Sequence, residues 1–118
     1  MDEERYKQYW TGNLKQWLLN EADGEEIEAV VIGLMGGQSY YEDRIGKDWP
    51  KGKMLSWEEA APLLDYTFDE GIGGNGCHAV YAWTANKVIA VAKYDGSTWA
   101  FSIPSHPIDC MPELHGDG

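Results

Sequence analysis

The amino-acid sequence predicts an α+β fold, in which a four-stranded, mostly antiparallel sheet carries two helices on one face and forms a two-layer sandwich. Two helical patterns support this prediction, one near the N-terminal end and a shorter one in the middle of the chain. Three strand patterns joined by short turns follow them. Because short connections favour antiparallel neighbours, and helices bury one face of such a sheet, these patterns together indicate the sandwich.

The size and composition favour one domain. The chain has 118 residues, of which 43% are hydrophobic and 13% aromatic. A chain of this length buries roughly two thirds of the surface that its unfolded form exposes, which is enough for one core. We therefore expect a single domain over 1–118, with an N-terminal helix at 2–19, an α+β body at 25–104 and an extended C-terminal tail at 105–118.

The N-terminal segment 2–19 has the periodicity of an amphipathic helix. Trp10, Leu14 and Trp17 recur at four- and three-residue steps, which places them on one helix face. Gly12 and Asn13 interrupt the pattern, because both residues weaken a helix interior. The helix could be divided at this point.

The segment from Glu26 to Met35 predicts the first strand. It begins with alternating polar and apolar residues and continues as an apolar, largely β-branched run, which is typical of a strand that enters a core. Gly36 and Gly37 end it. The aromatic segment from Gln38 to Leu55 is predicted to be an ordered loop.

A capping box marks the start of the second helix. The Ser56 hydroxyl can accept the backbone N–H of Glu59, and the Glu59 carboxylate can accept the backbone N–H of Ser56. A helix from Trp57 to Leu64 is expected to follow. Pro62 limits its length, since proline has no N–H to donate.

Three strand patterns complete the predicted sheet. They run from Cys77 to Trp83, from Val88 to Tyr94 and from Trp99 to Ile103. The Asp95-Gly96 dipeptide between the second and third patterns is a strong hairpin signal. We expect the three strands to form an antiparallel meander, with the strand at 26–35 as the fourth member.

Composition excludes several classes of protein. The isoelectric point near 4.5 argues against direct nucleic-acid binding, which needs basic residues. The longest apolar run, from Ala29 to Met35, is too short to cross a membrane, and no signal peptide is evident, so we expect a cytoplasmic protein. Two cysteines are too few for a disulfide scaffold, although a Cys77–Cys110 bridge stays open.

Negative charge is concentrated in two parts of the chain. The sequence has 20 acidic and 9 basic residues, for a net charge of −11. Residues 1–28 hold eight acids and three bases, and residues 55–76 hold five acids and no base, so each part has a net charge of −5. If these parts share one side of the sheet, they form a surface that attracts basic partners. The plain alternative is that the charge only keeps the protein soluble.

Two short motifs resemble ligand-binding loops. The segment from Gly71 to Gly76 matches G-x-G-x-x-G, but no strand precedes it and no helix follows it, so we interpret it as a turn and not a dinucleotide site. The series Asp65, Thr67 and Asp69 resembles the start of a calcium loop, but its glycine comes one residue late and no glutamate closes it. We therefore predict no cofactor.

The cysteines and histidines offer a weak case for metal or nucleophile chemistry. Structural zinc sites show tighter paired spacing than these residues have. We interpret Cys77 as a small core residue and the histidines as surface residues, and we assign no catalytic or metal-binding residues. The residues concerned are Cys77, His78, His106, Cys110 and His115.

Five segments between about residues 40 and 112 form a recognisable pattern, which leaves out the N-terminal helix. They are Lys53-Met-Leu-Ser-Trp-Glu-Glu-Ala60, Leu64-Asp-Tyr-Thr-Phe-Asp-Glu-Gly71, Cys77-His-Ala-Val-Tyr-Ala-Trp-Thr84, Tyr94-Asp-Gly-Ser-Thr-Trp99 and Ile103-Pro-Ser-His-Pro107. This pattern resembles that of small acidic, uncharacterised proteins of actinobacterial bacteriophages. Since that family has no assigned reaction, the resemblance implies a class of role, namely binding and blocking host machinery.

The leading functional hypothesis is a non-enzymatic inhibitor of a host nucleic-acid-handling or defence protein, in the manner of anti-CRISPR, anti-restriction or DNA-mimic proteins. Its partner would have a basic surface, and the protein itself would be a monomer or a homodimer. One alternative is an immunity or antitoxin-like protein that binds a basic toxin, and another is a small Cys/His hydrolase or metal protein. Acidic residues would supply the charge and loop aromatics the anchors: Glu58, Glu59, Asp65, Asp69, Glu70, Tyr40, Tyr41 and Trp49.

Overall fold

The computed structural model describes residues 11–36, 45–46, 48–69, 77–94 and 97–114. Among them, neither helix has the length and the apolar character that crossing a bilayer requires. The elements in chain order are β1 (Thr11–Asn13), α1 (Leu14–Ala22), β2 (Ala29–Met35), β3 (Met54–Leu55), α2 (Trp57–Leu64), β4 (Thr67–Asp69), β5 (His78–Trp83), β6 (Lys87–Tyr94) and β7 (Ser97–Pro104).

The fold is α+β with two helices in the described residues, but the prediction of one four-stranded sheet is wrong. The strands form a five-stranded sheet in the order β3-β2-β5-β6-β7 and a separate two-stranded sheet of β1 and β4. β3 lies in the segment expected to be a loop and pairs with Val30 and Val31 of β2. β1 and β4 are three residues long and pair across more than fifty residues of chain, so no local pattern marks them.

The described part of the predicted N-terminal helix is a short strand followed by a helix. Residues 2–10 lie outside the described residues, where the helix stays a prediction; Thr11–Asn13 form β1, and α1 starts at Leu14. Asn13 is its N-cap: the side-chain Oδ1 accepts the backbone N–H of Gln16 at 3.0 Å, which satisfies one of the free donors of the first turn. At the other end Asp23 adopts a left-handed conformation with φ of 48° and ends the helix. The weak point at Gly12 and Asn13 is therefore a strand followed by a cap.

The predicted capping box is confirmed. The Ser56 N–H donates to Glu59 Oε1 at 3.1 Å, and the Glu59 N–H donates to Ser56 Oγ at 3.2 Å. Pro62 lies inside α2, which spans eight residues. The local signal was sufficient because both partners lie within one helical turn.

Both helices pack on the same face of the five-stranded sheet. α1 lies against β6 and β7, whereas α2 lies against β2 and β3. Each helix buries one stripe of side chains, and the sheet contributes alternate residues from its central strands to the same core. Members of this core include Leu14, Leu18, Ala22, Val30, Ile32, Ala60, Leu64, Val80, Ala82 and Ile89.

Candidate functional site

The predicted acidic residues in and directly after α2 are exposed, but Glu59 and Asp65 also make contacts within the fold. Glu58 and Glu59 lie in the first turn, and Asp65 follows the last. Hydrogen bonds from Ser56, first from its backbone N–H and then from its hydroxyl, lower the pKa of the Glu59 carboxylate below 4.5. Glu58, in contrast, is exposed and has no hydrogen bond or ion pair among the described residues, so its charge faces solvent.

Asp65 connects the two helices. Its Oδ1 accepts Asn13 Nδ2 at 3.0 Å, and its Oδ2 lies 3.7 Å from Lys15 Nζ. This is the one ion pair found among the described residues. Because Lys15 neutralises part of its charge, Asp65 contributes less to an external field than the sequence indicates. Asp69 ends β4, while its side chain and Glu70 lie outside the described residues.

The predicted aromatic anchors do not form a described surface. Tyr40 and Tyr41 lie outside the described residues. Trp49 is only 8% exposed and belongs to the core. Its ring meets that of His78 edge-on, with centroids 5.0 Å apart. Trp49 is therefore unavailable as a surface anchor, because the core on which its loop packs has already buried it.

The turn after α1 carries a second cluster of acidic residues, none of which was named from the sequence as a candidate site residue. Asp23, Glu26 and Glu28 are exposed. Glu25 accepts a hydrogen bond from the Thr84 hydroxyl, and this bond, with a smaller contribution from Lys87, lowers the pKa of Glu25 below 4.5. The high density of acids in residues 1–28 was the signal that could have identified this turn. We call Asp23–Glu28 the acidic turn.

His78 is buried, contrary to the expectation that the histidines lie on the surface. It is 0% exposed, and its Nδ1 lies 2.6 Å from the Tyr66 hydroxyl oxygen. The same oxygen accepts the His78 backbone N–H at 2.9 Å. Trp49 and Tyr66 both meet the imidazole edge-on. His78 is thus a satisfied core residue that fixes the start of β5.

The other cysteine and histidine predictions have mixed outcomes. Cys77 is buried and Cys110 exposed, and both are free, so the bridge that the sequence left open does not form. His106 is exposed, and His115 lies outside the described residues. In the part of the chain that the structure describes, no three His, Cys, Asp or Glu side chains converge to hold a metal ion.

The structure gives no support to a ligand-binding role for the G-x-G-x-x-G segment or for the series that resembles a calcium loop. Gly71–Gly76 lies outside the described residues. Thr67 and Asp69 belong to β4, whose backbone pairs with β1. An extended, paired strand does not wrap its side chains around one ion as a calcium loop does.

The sheet face that points away from the helices is apolar. Tyr81 and Ile103 are 59% and 52% exposed on it, and the rings of Tyr81 and Trp83 lie 6.3 Å apart. This face carries no charged side chain among its described members, so it is chemically distinct from the acidic turn. By strand alternation it comprises Val31, Ala79, Tyr81, Trp83, Val88, Ala90, Ala92, Trp99, Phe101 and Ile103.

A groove runs between the C-terminal half of α1 and β7. Its volume is about 330 Å³. Thr98 lies in its wall and is 5% exposed, and its hydroxyl has no hydrogen-bond partner in the described structure. An unpaired buried hydroxyl costs about 1–3 kcal/mol, which makes this groove the least satisfied place among the described residues. The groove is lined by Trp17, Asn20, Glu21, Thr98, Trp99 and Ala100.

Comparisons with known proteins give no family: no protein-family model matches the chain, and neither the curated proteins nor the solved structures contain a match. The function must therefore be argued from charge, surface chemistry and geometry.

Proposed function

We propose that this protein is a non-enzymatic binding protein of the bacteriophage type, which blocks a host nucleic-acid-handling or defence protein through its acidic surface. The observation that carries the proposal is the exposure of the acidic turn and of Glu58, with a single ion pair, Lys15–Asp65, in the described residues. The chain has a net charge of −11, and the exposed carboxylates of Asp23, Glu26, Glu28 and Glu58 are available to a basic partner.

The physics of such a surface favours association with proteins that bind nucleic acid. Clustered carboxylates raise the rate of encounter with a basic cleft and repel nucleic acid itself. Exposed charges are screened over about 8 Å at physiological salt, so the association should weaken as salt rises. The partner would release its nucleic acid, because the nucleic acid and the acidic protein compete for the same basic residues of the partner.

The surroundings of Cys77 and His78 support binding over hydrolysis. A nucleophilic cysteine needs access to substrate and an electropositive site, whereas Cys77 is 3% exposed within the core. His78, the adjacent imidazole, is completely buried and engaged by Tyr66. Both residues have a structural explanation that requires no reaction.

The test begins by capturing the partner from an actinobacterial lysate, eluting it with a salt step, and identifying it by mass spectrometry. Binding of the purified partner is then measured at several salt concentrations. The test variant is Glu26→Lys/Glu58→Lys, at two exposed positions on separate elements. The matched control, Asp109→Lys/Glu113→Lys, makes the same change of charge in the segment after β7.

We expect the test variant to lose about tenfold or more in affinity, mainly in the association rate, and the control to stay within about twofold. A partner that competes with nucleic acid supports the proposal, and a toxin as partner would favour an immunity role instead. Equal effects of the two variants, or affinity that does not change with salt, would contradict the proposal.

A further inference from the structure

β7 is a long strand at the edge of the five-stranded sheet. It ends the strand order among the described residues and spans Ser97–Pro104. Edge strands usually carry charges, bulges or prolines that prevent other strands from pairing with them. β7 has no charged residue, and its pairing with β6 runs without a bulge over its whole length. Among the described residues, the one protective feature of this strand is Pro104 at its end.

The register identifies the backbone groups that β7 turns outward. Ser105 N–H donates to the Asn86 carbonyl at 2.9 Å, and Tyr94 is paired with Ser97, two residues being between them in the sequence. In an antiparallel pair, bonded and non-bonded residue pairs alternate. Counting between these fixed points, Trp99, Phe101 and Ile103 bond to β6. The backbone groups of Thr98, Ala100 and Ser102 therefore point away from the sheet.

Pro104 belongs to the same outward series. Proline has no N–H, so it is tolerated in a sheet where the N–H would face solvent. Its position removes no bond to β6 and stops strand addition at this end. Within the described part of the chain, Thr98, Ala100 and Ser102 therefore remain as a backbone edge that no other strand pairs with.

The groove beside this edge has a negative character. Asn20 and Glu21 come from the last turn of α1, where the helix dipole is negative. That turn has no basic residue of its own. Lys87 Nζ donates to the Glu21 carbonyl oxygen at 2.8 Å and offsets part of this dipole, so the negative character of the groove comes mainly from the Glu21 carboxylate, the one charged group in its described lining. Thr98 adds to the wall of the groove a hydroxyl that has no hydrogen-bond partner among the described residues. Such a groove suits the ammonium or guanidinium group of an incoming side chain.

We propose that β7 binds an extended, lysine- or arginine-containing segment of the partner, which adds to the sheet as a sixth strand and places one basic side chain in the groove. This inference rests on the proposed function, because it takes the partner to be basic. Charge complementarity favours such a segment over a second copy of this chain, which would bring a further charge of −11. Backbone pairing would supply affinity, and the groove would supply selectivity.

The test uses the full chain and a fluorescein-labelled, acetylated eight-residue peptide that alternates Lys with Val and Thr. Control peptides replace each Lys by Glu, or the central Val by Pro. Binding is followed by anisotropy, and amide hydrogen exchange is followed by NMR. We expect the Lys peptide to slow exchange at Thr98, Ala100 and Ser102 by tenfold or more, with no comparable change at Trp99 and Phe101.

Two variants test the mode of binding. Ala100→Pro removes an outward N–H without removing a bond to β6 and should weaken peptide binding at least tenfold. Glu21→Gln should weaken binding of the Lys peptide several-fold and reduce its salt dependence. If Ala100→Pro does not fold, the exchange pattern of the unmodified protein and the Glu21→Gln result decide the question.

The proposal is overturned if the Lys peptide leaves the three outward amides unchanged, or if the Glu and Pro peptides bind equally well. It is also overturned if sedimentation reveals a dimer whose formation protects those same amides. A captured partner that tolerates Ala100→Pro but not Glu26→Lys/Glu58→Lys would overturn strand addition and leave the proposed function standing. Peptide addition at β7, together with a partner indifferent to the acidic residues, would support the edge site and contradict the proposed function.

Discussion

The hydroxyl oxygen of Tyr66 makes two contacts with one residue: it lies 2.6 Å from His78 Nδ1 and accepts the His78 backbone N–H at 2.9 Å. The contact joins the segment after α2 to the first residue of β5, and the imidazole is completely buried. A single phenol therefore satisfies a ring nitrogen and a backbone donor that water does not reach.

Replacing Tyr66 with Phe should lower the free energy of unfolding by about 1–3 kcal/mol, because it leaves polar groups of a buried residue without this partner. Urea denaturation monitored by tryptophan fluorescence measures the change. Tyr81→Phe is the matched control, since Tyr81 is 59% exposed and its substitution should fall within about 0.5 kcal/mol of the wild type. Equal stabilities of the two variants would show that the Tyr66 hydroxyl contributes nothing.

Ser56→Ala should destabilise the protein by about 1 kcal/mol, because it removes the side-chain half of the α2 capping box. Glu58→Gln changes a neighbouring residue of the same turn that has no part in the box and should change stability by less than about 0.5 kcal/mol. Thermal unfolding of both variants under one buffer condition makes the comparison. A Ser56→Ala variant as stable as the wild type would contradict this assignment of the cap.

Acid should destabilise the fold partly through Glu25. The Thr84 hydrogen bond, and then Lys87, hold the pKa of Glu25 below its ordinary value of 4.5. A carboxylate whose pKa is lower in the folded state contributes stability that is present above the unfolded value and lost as pH falls through the folded one. Unfolding followed from pH 6 to pH 3 should therefore show a smaller acid loss in Glu25→Gln.

The control for the acid experiment is Glu26→Gln, which removes the same charge from the adjacent, exposed position. It should keep the wild-type pH profile. If Glu25→Gln and Glu26→Gln respond alike, the acid sensitivity arises from overall charge and not from the Thr84 contact.

Gly12→Ala should destabilise the fold by about 1–3 kcal/mol, the usual cost of overpacking. A Cβ atom at Gly12 would lie 2.5 Å from Trp17 Cζ2 and 3.2 Å from Phe68 Cζ, so the two packed rings would have to move. Gly33→Ala is the comparison, because its Cβ would meet Ala79 Cβ at 3.3 Å and needs a smaller shift. Denaturation midpoints should rank Gly12→Ala well below Gly33→Ala.

Much of the fold could be predicted because its signals are local. The capping box at Ser56 and the pairing of β6 with β7 next to Tyr94 and Ser97 each depend on residues a few positions apart. The three strands of the meander differ from their predicted bounds by one or two residues. β1, β3 and β4 were not predicted. β1 and β4 are distant from each other in the sequence, as β3 is from β2, and strands of two or three residues have no readable period.

The candidate site was harder to predict than the fold. Trp49 lies in a segment rich in glycine and proline, where an aromatic residue is equally compatible with a surface anchor and a core filler. It is buried in the core, and its ring packs against that of His78, which lies 29 positions later in the sequence. Asp65 was expected to present its charge to a partner. Instead, its carboxylate accepts a hydrogen bond from Asn13 and pairs with Lys15, both at the N-terminal end of α1. A count of charged residues cannot distinguish a free carboxylate from a paired one, because it contains no information about which residues are neighbours in the fold.

The strand order also has a consequence for the speed at which the chain folds. β6 and β7 are antiparallel neighbours separated by only two residues in the sequence, so this pair of strands can form within about 1–10 μs. β2 pairs with β5, with Ala29 opposite Trp83. This pairing requires the closure of a loop of about fifty residues, and the entropy cost of that closure comes before the contacts that offset it can form. The folding rate should therefore depend on the closure of this long loop, with the meander already in place as the template on which β2 docks.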